Sequence, residues 1–110
     1  MDEMLKNELN KFEVVESRCG GGDLEYVLIT DTKEHREQLN YLLCAINTWA
    51  YVPERFSPSM YEFLNFCEKE CKGYLDLTHL IYNFIQNVDL EKIGFNQKKN
   101  QWELVNYWQP

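Results

Sequence analysis

The most reactive side chains in this sequence belong to four cysteines and two histidines. Cys67 and Cys71 are four residues apart in a segment with helical periodicity, so they share one helix face. His79 or Cys44 could in principle complete a four-ligand metal site, but structural zinc usually draws on a tight C-x2-C pair, which is absent here. Both positions also continue an apolar stripe. The pattern therefore predicts reduced, structural thiols and no metal ligand.

A catalytic role for a cysteine would require a base held beside it. His35 and His79 are the two candidates, and no motif connects either of them to a cysteine. We expect His35 to be partly buried at the start of a helix and His79 to be solvent-exposed on the polar side of another. The sequence accordingly predicts no catalytic residue and no cofactor, and the chain is not expected to be an enzyme.

A run of three glycines, Gly20–Gly22, is the next candidate for chemistry, because backbone amides in glycine-rich loops can bind phosphate. Such loops open a helix, whereas here the alternating segment from Leu24 to Thr30 follows at once. A second alternating segment runs from Lys11 to Cys19. The glycines therefore indicate the turn of an antiparallel β-hairpin, in which positive backbone φ angles are common.

Acidic residues dominate this hairpin region, where residues 1–30 carry a net charge of −4 out of −7 for the whole chain. Such a balance disfavours bare nucleic acid and anionic membranes as partners and favours another protein with a basic surface. The predicted contact surface combines these acids with an exposed Tyr26 or Tyr51. Ordinary surface solubility is the alternative explanation. The acids of the predicted contact surface are Glu13, Glu16, Asp23 and Glu25, with Asp31 on the same face.

Aromatic residues are more numerous than one small core easily absorbs, with three tryptophans, seven tyrosines and six phenylalanines. Three of them crowd a final alternating segment from Trp102 to Trp108. We expect Trp102 to pack inward, and Tyr107 and Trp108 to be available to a partner or a second subunit, because half-exposed aromatic side chains are favoured at interfaces.

Helical periodicity accounts for most of the remaining chain. The pattern predicts four helices. The first is a short N-terminal helix, and the second is capped by Asp31 or Thr32. The third helix begins at Ser57–Pro58 or at a Ser59/Glu62 capping box, and the fourth is capped by Asp76. Gly73 ends the third of these helices. The apolar stripe of the second helix comprises Leu39, Leu42, Leu43 and Ile46, extended by Trp49 and Ala50; that of the last comprises Leu77, Leu80, Ile81, Phe84 and Val88.

These elements predict one α+β domain over residues 1–110. The N-terminal hairpin and the C-terminal strand are expected to share an antiparallel sheet that packs against about three amphipathic helices. The polar stretch between Phe95 and Trp102 is expected to be a loop joining two extended segments.

In size and charge the chain resembles small acidic inhibitors, such as toxin immunity proteins, antitoxins and phage counter-defence proteins. The resemblance implies a protein that occludes a basic or nucleic-acid-binding site on its partner. Reduced cysteines favour a cytoplasmic location, and frequent Asn, Lys and Glu with sparse Ala, Gly and Pro favour a bacterial or phage source. A homodimer is compatible with the same composition. The alternative is a homo-oligomeric domain that binds a small ligand, or senses one, through an aromatic pocket.

Overall fold

A computed structural model describes residues 2–20, 23–85 and 92–104. Helices and antiparallel strands together confirm the predicted α+β class. The elements run, in chain order, α1 (Asp2–Leu9), β1 (Glu16–Gly20), β2 (Asp23–Thr30), α2 (Lys33–Ile46), α3 (Pro58–Glu70), β3 (Tyr74–Asp76), α4 (Leu77–Phe84), β4 (Ile93–Asn96) and β5 (Gln101–Leu104).

The predicted N-terminal hairpin is present as β1 and β2, which pair in antiparallel register with Glu16 opposite Leu28. A register shift between Arg18 and Cys19 bends the hairpin near its tip. The first strand begins at Glu16, later than Lys11, because the chain turns at the end of α1. In that turn the Phe12 amide donates to the Leu9 carbonyl oxygen at 3.2 Å.

The third strand of the hairpin's sheet is β3, giving the order β1-β2-β3. The C-terminal segment was expected in this position, and that detail is wrong: β5 pairs with β4 in a separate two-stranded sheet. The four-residue turn 97–100 joins β4 directly to β5, and this short connection selects the adjacent strand as partner. Phe95 lies opposite Trp102, which confirms the loop predicted between them.

Short polar side chains begin three of the helices, as predicted. Thr32, rather than Asp31, caps α2, and Ser57 caps α3, with proline in its first turn. Asp76 caps α4. Asp31 instead binds the guanidinium of Arg36 through both carboxylate oxygens, at 2.6 and 2.7 Å.

The core is built from apolar side chains of all four helices and both sheets. The α2 stripe from Leu39 to Ile46 is buried as expected, but Trp49 and Ala50 are exposed. The helix ends at Ile46, and Thr48 adopts a positive φ of 57°, so the chain leaves the helical path before Trp49. Trp102 is only 2% exposed, which confirms that it packs inward.

Candidate functional site

The acidic residues of the hairpin do not form one continuous charged face. Glu13 precedes β1 and lies outside the strand ladder, and Glu25 forms an ion pair with Arg18 at 3.0 Å. Glu16 and Tyr26 are brought together, since the Tyr26 hydroxyl donates to a Glu16 carboxylate oxygen at 3.4 Å. The hairpin thus unites two of the predicted contact residues and partly neutralises a third.

The remaining predicted contact residues are Asp23, Tyr51, Tyr107 and Trp108. Asp23 pairs through its backbone with Gly20 at the start of β2. The predicted aromatic contacts Tyr107 and Trp108 lie outside the described residues. Tyr51, named as an alternative to Tyr26, is 40% exposed and lies in a different region of the molecule, described below.

The four cysteines are free thiols. Cys44 and Cys67 are buried, and burial raises the pKa of the Cys67 thiol to about 12, so its nucleophilic thiolate form is scarce at neutral pH. Among the described residues, no group of three or more His, Cys, Asp or Glu side chains is placed to hold a metal ion.

The histidines occupy structural positions. His35 is partly buried, as expected, with its Nδ1 atom 2.7 Å from the Thr30 carbonyl oxygen. His79 was expected to be exposed, which is wrong: it is partly buried and stacks on Phe66 with a centroid distance of 3.5 Å. Packing of α4 against α3 explains this burial, which also lowers the pKa of His79.

A cleft between the end of α1 and the outer face of α2 is a candidate binding site. Its volume is about 410 Å³, within the range of about 300–1,000 Å³ typical of ligand pockets. We call it the α1–α2 cleft. It is lined by Glu8, Lys11, Phe12, Glu34, Glu37, Gln38, Tyr41 and Tyr51.

The α1–α2 cleft is negatively charged, with three glutamates against one lysine. Lys11 forms an ion pair with Glu8, and the distance from Lys11 Nζ to Glu8 Oε1 is 2.9 Å. The side-chain carboxylates of Glu34 and Glu37 form no ion pair or hydrogen bond with any described residue. These two carboxylates are therefore uncompensated charges in the lining of a partly apolar cleft.

Aromatic side chains supply the apolar part of the cleft. Tyr41 from α2 and Tyr51 from the following loop meet edge to face, with ring centroids 5.2 Å apart and planes at 88°. Tyr41 is 50% exposed, so both rings are open to a binding partner. Phe12 is buried and forms an apolar wall. Carboxylates next to exposed aromatic rings are suited to binding a cation.

One buried amide holds the loop that carries Tyr51. Asn40 on α2 is 1% exposed; its Nδ2 atom donates to the Arg55 carbonyl oxygen at 3.1 Å, and its Oδ1 atom accepts from the Ser57 amide at 3.0 Å. These bonds fix the far end of the loop against α2. The loop also presents Trp49, which is 53% exposed, next in sequence to the cleft wall.

Part of this site carries a signal in the sequence. Residues 34, 37, 38 and 41 follow helical spacing and define a second face of α2, beside its apolar stripe. Glu8, Lys11 and Phe12 repeat the spacing at the end of α1. Nothing in either pattern indicates that the two faces meet, since that depends on how α1 packs against α2.

Within the described part of the chain, no helix is both long and apolar enough to cross a membrane. Comparison of the chain with models of known protein families, with curated proteins and with solved structures finds no match.

Proposed function

We propose that this protein binds a basic surface of another protein and occludes it, acting as a small cytoplasmic inhibitor of the immunity, antitoxin or phage counter-defence type. The observation that carries the proposal is the pairing, in the α1–α2 cleft, of the uncompensated Glu34 and Glu37 with the exposed rings of Tyr41 and Tyr51. Unpaired carboxylates steer a cationic partner during encounter, and aromatic side chains slow its dissociation.

In this function the main contact is the α1–α2 cleft, and the Glu16–Tyr26 pair of the hairpin is a secondary contact. The hairpin is the weaker candidate because the carboxylate of Glu25 is already bound to Arg18. Self-association is disfavoured, since a second copy brings the same net charge of −7.

A small-ligand-binding domain is the second candidate, and the cleft volume of about 410 Å³ favours it. The solvent exposure of Tyr41 and Tyr51 favours a protein partner instead. Small-molecule sites typically bury about 70–90% of their ligand, whereas Tyr41 and Tyr51 face solvent over about half of their surface.

The experiment compares wild-type protein with a Glu34→Gln/Glu37→Gln variant and a matched Glu62→Gln/Glu70→Gln control, in which two exposed carboxylates of α3 are neutralised. Each immobilised protein is exposed to bacterial lysates at about 0.1 M and about 1 M salt, where charges are screened over about 10 Å and about 3 Å respectively. Any captured protein is then purified and its association rate and activity are measured with each variant.

We expect a partner that is retained at low salt by the wild type and the control, is lost from the cleft variant, and is inhibited when bound. Equal retention by the cleft variant and the wild type would contradict a role for these two carboxylates. A complex that forms at the same rate at both salt concentrations would contradict electrostatic steering.

A further inference from the structure

We propose that the α1–α2 cleft receives an arginine side chain of the partner, with its guanidinium group against Tyr41 and Tyr51 and paired with Glu37. This inference rests on the proposed function and names the group that the cleft recognises. The geometry comes from α2, where Glu37 and Tyr41 are four residues apart and so lie one above the other on the same face.

A guanidinium group that lies on the Tyr41 ring can therefore reach the Glu37 carboxylate one helical turn away. Glu34 lies a further turn along the same face and adds a second uncompensated charge. The Gln38 side chain also lines the cleft and offers an amide oxygen as an acceptor for a remaining N–H group. The cleft thus combines acceptors and ring faces, while its one cation, Lys11, is bound to Glu8.

This combination favours arginine over lysine. Arginine carries five N–H donors in a planar group that stacks on aromatic rings and binds carboxylates through two parallel hydrogen bonds. A lysine ammonium is more strongly hydrated and has no flat face, so it gains less from the paired tyrosines. The exposed parts of the Tyr41 and Tyr51 rings give the aliphatic stem of the arginine an apolar surface to cover.

The aromatic wall is already formed before a partner binds. Tyr51 contacts Tyr41 edge to face, and Asn40 fixes the loop that carries Tyr51. Binding therefore requires little ordering of the loop. The entropy lost when a mobile segment is ordered around its ligand lowers affinity, and this cost is small here.

The test is an NMR titration of the ¹⁵N-labelled full chain with three capped tripeptides, Gly-Arg-Gly, Gly-Lys-Gly and Gly-citrulline-Gly. Citrulline has nearly the shape of arginine but no charge. We expect the arginine peptide to bind with a dissociation constant on the order of 1 mM, with shifts confined to the cleft. The lysine peptide should bind more weakly and the citrulline peptide not detectably.

Variants then assign the contacts. Tyr41→Leu, Tyr51→Leu and Glu37→Gln should each weaken arginine binding by about two- to fivefold. Tyr82→Leu is the matched control, because Tyr82 is 51% exposed on a different helix, and it should leave binding unchanged. Unchanged amide spectra away from each substitution show that the variants are folded.

Three results would overturn the inference: citrulline binding as tightly as arginine, shifts that map to Glu16 and Tyr26 instead of the cleft, or tetramethylammonium binding more tightly than the arginine peptide. The last would assign the cleft to a small alkylammonium ligand. Arginine binding without any captured partner would contradict the proposed function alone, and a partner lost from the cleft variant without arginine binding would contradict this inference alone.

Discussion

Replacing Asn40 with alanine should both destabilise the protein and disorder the aromatic wall of the α1–α2 cleft. The Asn40 amide spans the Arg55 carbonyl oxygen and the Ser57 amide, at 3.1 and 3.0 Å. The substitution leaves both backbone groups without this partner. Water can reach the exposed Arg55 more easily than the partly buried Ser57, so the full penalty falls mainly on the Ser57 amide. We expect a loss of about 2 kcal/mol in the free energy of unfolding.

Urea denaturation measures the loss, and the ring contact between Tyr41 and Tyr51 provides a second, local readout as a nuclear Overhauser effect. Asn65→Ala is the matched control, because Asn65 is exposed on α3 and should change stability by less than about 0.5 kcal/mol. If Asn40→Ala unfolds at the wild-type urea concentration and keeps the ring contact, the loop is held by other interactions and the reasoning is refuted.

Three further predictions test the fold. Asn10→Ala should lower the free energy of unfolding by about 1–2 kcal/mol and speed hydrogen exchange of the Trp102 amide. The reason is that Asn10 accepts from that amide at 2.7 Å and donates to the Trp102 carbonyl oxygen at 3.0 Å. An unchanged exchange rate would contradict this prediction. Burial raises the pKa of Asp76 above the ordinary aspartate value of 3.8. The folded state therefore holds that proton more tightly than the unfolded state, and stability falls as pH rises from 3.8 through the raised folded-state pKa. Asp76→Asn should flatten that pH dependence in urea titrations, and an unaltered slope would contradict the assignment. Cys67 should react with a thiol reagent only on unfolding, because burial raises its pKa to about 12 and keeps it from solvent; modification of folded protein, read by mass spectrometry, would disprove this.

The helix starts were predictable because capping is local chemistry. Thr32, Ser57 and Asp76 each accept a hydrogen bond from an amide two or three residues ahead, which depends on a few consecutive residues. Helical spacing likewise identified the buried stripes. Such signals require no knowledge of distant parts of the chain.

The strand β3 was not predictable in the same way. This strand follows Gly73 and leads directly into α4. Its three residues are too few for an alternating pattern to be recognised. The end of α2 was missed for a related reason. Trp49 continues the helical spacing, but the Asn47 side chain donates to the Phe84 carbonyl oxygen at 2.7 Å, a tertiary bond just before the chain turns away.

The site was only partly predictable because residue counts do not reveal which charges remain unpaired. Arg18 lies beside Glu25 across the hairpin, so the region richest in acids is partly neutralised. On α2, Arg36 lies between Glu34 and Glu37 in sequence but turns to Asp31 instead. That pairing leaves the two glutamates on the cleft side without a cation.

Lys33 is the remaining cation that the helix could offer to the cleft glutamates, because it precedes Glu37 by four residues. A lysine–glutamate pair four residues apart on a helix is weaker when the lysine comes first in sequence than when the glutamate does. Lys33 makes no ion pair with a described residue. A cationic partner can therefore engage Glu37 without first breaking an internal bond. Glu25 would have to release Arg18 before a partner could bind it fully. This difference in pairing, more than the number of acids, is the physical reason to place the contact at the α1–α2 cleft.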